Sequence, residues 1–287
     1  MNQFKNIVNT LVYGNFVIAL CASSLCYFTI LFFSLELYLL ETVLFVFFST
    51  QFTYIFHRKV DHLYYGNRFL TPQDNWIKQH DRLYSWLLIM SFVGSFYFYY
   101  QLPKATIVIL FPLILISLLY VIKLNFFGKS TSLRLIPFLK PFLIAFVWGG
   151  IASFLPLIIN GGMEAFFELK YHIYAIAMGL FVFGQTIPFD IRDYEIDKKS
   201  NLKTLPHALG NGITKLISIS AYGLALVFVY IVSKHIDYQL VALASAFIIS
   251  MVIIWKLSSQ KSDLHFSLLH ESSLALPLIC FKILAFF

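Results

Sequence analysis

Charge is what this sequence has least of. Of its 287 residues 12% are charged and 59% are hydrophobic, and the mean hydropathy is +0.78. About a quarter of a soluble domain is charged. The deficit excludes a surface that faces water over most of the chain. A charge at the centre of a membrane helix costs roughly 2.5–3.5 kcal/mol on insertion scales, so a lipid-facing surface accounts for it. The 32 Phe and 17 Tyr point the same way. Cysteine is scarce too. Cys21 and Cys26 lie in the first apolar run and Cys280 in the last, with no CxxC and no Cys/His cluster. This excludes a thiolate metal centre or a disulfide framework and leaves small apolar core residues. A cleavable leader is not expected either. Lys5 precedes an apolar run that continues from about residue 11 to 33, longer than the apolar stretch of a signal peptide. The net charge of +7 would suggest nucleic acid in a soluble protein, but basic residues collect on the cytoplasmic side of membrane proteins. No nucleic-acid partner is expected.

What is present is a series of apolar runs. About 20 apolar residues cross a bilayer. Nine runs qualify, at roughly 11–33, 37–57, 83–102, 105–122, 138–160, 166–189, 213–233, 238–257 and 266–287. The last is weakest, because His270 and Glu271 lie inside it; an eight-span chain whose last segment lies on the surface is the alternative. With the N-terminus in the cytoplasm, all of the 21 basic residues except Lys104, Lys170, Lys234 and Lys282 fall inside. The expectation is an all-α integral membrane protein of nine transmembrane helices, N-terminus in the cytoplasm, forming one polytopic domain over 1–287. Its cytoplasmic loops 58–82, 123–137 and 190–212 are long and polar, and a site held by a rigid scaffold belongs there. The loop from about His62 to Asp81 is a candidate lid, with Arg68 the basic residue to watch.

Asp190, Asp193 and Asp197 follow the sixth run at spacings of three and four. If that helix continues through them, they share one face. Stacked carboxylates repel one another unless a cation neutralises them, and magnesium takes a few carboxylates plus phosphate oxygens. Lys198, Lys199 and Lys203 follow and can meet remaining phosphate charge. A solvated, charged loop fits the same spacing.

A resemblance narrows the choice. Asp190-Ile191-Arg192-Asp193-Tyr194-Glu195-Ile196-Asp197, then Lys203-Thr204-Leu205-Pro206 and Leu209-Gly210, resembles the second Asp-rich motif of the UbiA superfamily of intramembrane prenyltransferases. Leu119-Tyr120-Val121-Ile122-Lys123 and Arg134-Leu135-Ile136-Pro137-Phe138-Leu139-Lys140 are similar to that family's connection between its fourth and fifth helices. The resemblance implies a UbiA-like helical bundle and a magnesium-dependent transferase. That enzyme moves a polyprenyl group from its diphosphate to an aromatic or other lipophilic acceptor. It implies metal ligation and catalysis by Asp193 and Asp197, assisted by Asp190 and Asp61. It implies diphosphate binding by Tyr120, Lys123, Arg134, Lys140, Arg192 and Lys198.

The family's first motif, Asn-x-x-x-Asp-x-x-x-Asp, is reduced here to Thr53, His57 and Asp61. Imidazole nitrogen suits softer ions than magnesium. His57 is therefore expected to face phosphate as a cation, beside Arg58 and Lys59. Two alternatives stay open: a non-catalytic isoprenoid- or lipid-binding descendant of the fold, and a small-solute transporter. A bacterial inner membrane is the expected location, with the active face cytoplasmic. Acceptor, prenyl length and oligomeric state are open.

Overall fold

The computed structural model of the chain describes residues 2–65, 71–126, 129–199, 202–233, 235–257 and 263–286. Arg68 and Lys234, and the Lys199 side chain, lie outside what it describes.

In hydrocarbon a backbone has only itself to hydrogen-bond, so the apolar runs close into helices. They are α1 (Asn2–Tyr13), α2 (Phe16–Phe32), α3 (Leu39–Tyr65), α4 (Pro72–Gln79), α5 (Asp81–Gln101) and α6 (Ile107–Val121). A short antiparallel hairpin, β1 (Leu124–Phe126) and β2 (Lys129–Thr131), follows. The rest are α7 (Leu139–Trp148), α8 (Leu155–Gly161), α9 (Leu169–Arg192), α10 (Tyr194–Lys199), α11 (Leu205–Ser233), α12 (Tyr238–Trp255), a single turn α13 (Asp263–His265) and α14 (Leu276–Leu284).

Among the described residues seven helical stretches are long and apolar enough to cross a membrane: 39–64, 104–121, 139–167, 169–192, 205–233, 238–255 and 266–284. The pair α1–α2, bent by 56°, makes an eighth. The third of the nine expected runs is α5. Its 21 residues reach about 31 Å at 1.5 Å per residue. Four tyrosines and the leading Asp81-Arg82 lower its apolarity, while Trp86, Met90, Phe96 and Tyr100 stand exposed on its outer face.

The bend between α1 and α2 has a local cause. Asn15 sits at φ 60°, a left-handed conformation that stops α1. Its side-chain amide donates to the Tyr84 hydroxyl at 3.2 Å, and Gln51 donates to the Gly14 carbonyl at 3.1 Å. The polar groups that the break frees are thus satisfied.

At the centre α9 packs against α7, α11 and α12. Phe181 stacks on Phe247 at 4.8 Å between ring centres, and Tyr174 on Phe32 at 5.1 Å. Glycine permits a close helix contact between α7 and α9. A Cβ at Gly149 would lie 2.9 Å from the Ala175 carbonyl oxygen and 3.4 Å from the Gly179 Cα.

Two stretches taken as loops are more ordered than that. Within 58–82, α3 runs on to Tyr65 and α4 fills 72–79. Thr71 and Asp74 form a capping box, and Pro72 follows at the first turn, so α4 starts where its sequence dictates. Within 190–212, α9 ends at Arg192, α10 follows, and α11 begins at Leu205. The three carboxylates therefore do not ride one unbroken helix: Asp193 occupies the turn between α9 and α10.

Candidate active site

The C-terminal ends of α3, α6 and α9 and the N-terminal end of α7 meet at one end of the bundle. A cavity of about 720 Å³ opens there, within the range of small-molecule sites. Its polar rim carries Arg58, Lys123, Arg134, Lys140 and Arg192 with Asp61, Asp74, Asp193 and Asp197. The lining also includes Tyr54, Ile144, Trp148, Val182, Phe189 and Leu274, which are apolar or aromatic, and Gln185, Thr186, Ser267 and Glu271 among them. A polar headgroup and an apolar tail match this mixed lining.

The rim is organised as acid–base pairs. Arg134 is ion-paired to Asp61 across 73 residues of sequence. Lys140 donates to Asp190 at 2.7 Å, and Asp190 is only 2% exposed. Arg192 grips both oxygens of the adjacent Asp193, at 2.7 and 3.1 Å. Its guanidinium also lies over the rings of Phe189 and Phe266, at 5.1 and 5.7 Å. Asp193 feels opposing effects. Burial raises its pKa, but the charge and hydrogen bonds of Arg192, with help from Lys140, hold it below the usual carboxylate range.

Asp197 differs. It is 8% exposed, it forms no ion pair among the described residues, and its Oδ2 has no hydrogen-bond partner. Burial pushes its pKa up to about 6; Lys140 counteracts this, while the charges of Asp193 and Asp190 add to it. A buried carboxylate without a counter-charge is a natural place for a cation.

Among the described residues no three His, Cys, Asp or Glu side chains form a group that could hold a metal alone. Magnesium asks for less, since one or two carboxylates suffice when substrate phosphates complete the shell. Asp193 and Asp197 both line the cavity and fit that requirement. Of the four carboxylates expected beside the metal, Asp61, Asp190 and Asp193 are engaged by Arg134, Lys140 and Arg192, and among the described residues Asp197 forms no such pair.

Other expected residues divide. Tyr120 and His57 line the cavity with rings stacked at 5.3 Å, and His57 Nε2 donates to the Ser117 carbonyl at 2.8 Å. That nitrogen is turned toward α6. Lys59 does not line the cavity; it reaches Asp81 and Ser85 on α5. Lys198 is exposed on α10 and is not part of the lining. Lys123 lies over the Tyr64 ring at 4.8 Å.

The sequence reading missed the cluster around Asp74. His62 donates to it at 2.9 Å, Arg58 approaches at 3.5 Å, and Thr71 contributes backbone and hydroxyl hydrogen bonds. Burial works against its ionisation, but Arg58 and Thr71 more than offset this and hold the carboxyl low. The signal was present as Thr71-Pro72-Gln73-Asp74, a capping-box spacing.

The Thr204-Leu205-Pro206 element opens α11. The Thr204 carbonyl accepts from the backbone of His207 and Ala208, and His207 stacks on Tyr194 at 4.1 Å. Phe138 N donates to the Lys203 carbonyl, tying this segment to the start of α7. Gly210, at φ 76°, supplies a break that other residues resist.

No protein-family model matches the sequence, and no curated protein matches it. Solved structures do. A UbiA homologue from Archaeoglobus fulgidus, bound to GPP and Mg2+, superposes with a TM-score of 0.67 at 14% identity, covering 97% of this chain and 100% of its own. A UbiA homologue from Aeropyrum pernix K1, in its apo form, gives 0.66 at 15% identity, covering 93% and 95%. A structure of digeranylgeranylglyceryl phosphate synthase in membranes gives 0.53 at 17% identity, covering 99% and 98%. At both ends of the comparison the match runs nearly the full length, and the chain has the fold of the UbiA homologues.

Proposed function

We propose that the protein is a membrane prenyltransferase that moves a polyprenyl group from its diphosphate to a lipophilic acceptor. One observation carries the proposal. Asp193 and the uncompensated Asp197 share a cavity with Arg58, Lys123, Arg134, Lys140 and Arg192, and with apolar side chains. The neighbour whose structure holds GPP and Mg2+ has this fold.

Five basic and five acidic side chains line the cavity, counting Glu271, so its formal charge is balanced before any ligand enters. A diphosphate upsets that balance. Asp193 and Asp197 are the residues that would hold magnesium, which would neutralise the leaving diphosphate as the allylic C–O bond breaks. Lys140 and Arg134, held by Asp190 and Asp61, orient the diphosphate with Lys123 and Arg58. Tyr120 and His57 form a flat wall beside it. Phe189, Val182, Ile144 and Trp148 exclude water from the carbocation, which would otherwise be hydrolysed. The basic charge of the segments 58–82, 123–137 and 190–212 supports a cytoplasmic orientation of this site in a cell membrane.

A second reading, a non-catalytic isoprenoid binder, is favoured by one feature: His57 stands in the first motif and its Nε2 is bound to Ser117. Binding of geranylgeranyl diphosphate to detergent-purified protein, with and without magnesium, separates the two. The transferase reading expects magnesium-dependent binding, lost in Asp193→Asn with the fold intact. Binding indifferent to both magnesium and Asp193 would favour the second reading.

A further inference from the structure

The last membrane-crossing stretch does not begin as an ordinary helix. Phe266–Glu271 is a π-helical turn and Ser272–Ala275 a 3₁₀ turn; regular helix begins only at Leu276, with Pro277 in its first turn. Such π-turns cost backbone regularity and recur at functional sites. This one delivers Glu271 into the cavity beside Ser267 and Leu274.

Glu271 accepts one hydrogen bond, from the Ser267 hydroxyl to Oε1 at 3.1 Å. Among the described residues it forms no ion pair, unlike every other acid of the cavity except Asp197. A second group points to a ligand at the same place. Gln185, on α9, lines the cavity and is 2% exposed. Its amide nitrogen donates to Ser250 at 3.1 Å, which leaves Oε1 without a partner. A buried carbonyl oxygen left unbonded has lost the hydrogen bond that water would give it, which is unfavourable. The cavity therefore presents two hydrogen-bond acceptors that form no ion pair among the described residues, with the aromatic side chains of Tyr54 and Trp148 also in its lining.

We infer that Glu271, Gln185 and Ser267 form the acceptor subsite, and that it takes a flat or lipophilic molecule bearing a hydroxyl and bearing no carboxylate. The subsite rests on the prenyltransferase reading for its role in chemistry. The hydroxyl has one proton, which it shares between Glu271 and Gln185 Oε1 in a three-centre hydrogen bond. As the allylic C–O bond breaks, its electron pair leaves with the diphosphate oxygen. The acceptor supplies the electron pair of the new bond to the allylic carbon, from its oxygen or from a ring carbon conjugated to it. The hydroxyl proton passes to the Glu271 carboxylate and from there to water. A carboxylate on the acceptor would face Glu271 and be repelled.

The test is binding of 1-naphthol, 1-methoxynaphthalene and 1-naphthoate to the full chain in detergent, by equilibrium dialysis. The proteins compared are wild type, Glu271→Gln, Glu271→Leu and Gln185→Leu. Wild type should bind naphthol at least tenfold more tightly than its methyl ether or the carboxylate. Glu271→Leu should bring that ratio near one, Glu271→Gln and Gln185→Leu should lower it, and all three should still bind geranylgeranyl diphosphate in a magnesium-dependent way. Equal binding of naphthol and its ether by wild type, no binding of naphthol, or an unchanged ratio in Glu271→Leu overturns the inference. Failure of the diphosphate to bind, with the naphthol preference intact, removes the transferase reading and leaves a hydroxyl-selective pocket. Magnesium-dependent diphosphate binding without a naphthol preference does the reverse.

Discussion

Removing one partner of the Lys140–Asp190 pair should damage the fold more than removing both. The two groups are 2.7 Å apart, between the start of α7 and the end of α9, with Asp190 2% exposed. At an effective dielectric constant of about 20 their gross attraction is about 6 kcal/mol. Most of this offsets desolvation, so the pair contributes little net stability. Stripping one partner is different, because an uncompensated charge stays buried; Asp190→Ala or Lys140→Met should each cost about 3–5 kcal/mol. The double variant should cost less than either single one, giving a coupling energy of at least about 3 kcal/mol. Equilibrium unfolding in mixed detergent micelles, followed by tryptophan fluorescence, measures all four proteins. Additive single costs, within about 0.5 kcal/mol, would refute the reasoning. They would return Asp190 to the role of an open ligand, whose loss weakens magnesium binding without unfolding the chain.

Further outcomes follow from the same geometry. Asp197 has its pKa pushed up to about 6, so the folded state favours its protonated form. Its stabilising contribution is full below the ordinary carboxylate value and is lost as pH rises through about 6, by up to about 3 kcal/mol. Unfolding measured without metal between pH 4 and 8 should therefore show a decline in wild type that is flattened in Asp197→Asn. Gly184→Ala would place a methyl 2.6 Å from the buried Tyr222 ring. It should lower stability by about 1–3 kcal/mol in the same unfolding assay. Thr71→Ala removes the cap of α4 and two hydrogen bonds to Asp74. A loss of about 1 kcal/mol is expected, together with weaker diphosphate binding as Arg58 loses its anchor.

Much of this was legible in the sequence. The apolar runs marked the helices because a bilayer allows little else. Asp193, Asp197, Tyr120, Lys123, Arg134, Lys140 and Arg192 do meet in one cavity. What the sequence could not supply was partnership. Asp61 and Asp190 looked like further members of an acidic cluster, yet their partners Arg134 and Lys140 lie 73 and 50 positions away. Lys59 looked like part of a basic patch with Arg58, but adjacent residues on a helix point about 100° apart, and it turned to α5. Gln185 sat unnoticed in an apolar run, since a lone amide carries no periodic signal. The capping of α4 was readable, but not that Asp74 also receives His62 and Arg58.

The pairing of acids and bases around the cavity also bears on the order of events. A cluster of bare carboxylates would have to recruit metal merely to stay folded, as many small metal-dependent domains do. Here Arg134, Lys140 and Arg192 already neutralise three of those carboxylates. The empty protein can therefore wait in the bilayer, intact and metal-free. A chelator should leave its unfolding midpoint in place, and magnesium alone should move it little. The ion then has its main reason to stay once a diphosphate arrives, so donor and metal enter as a pair.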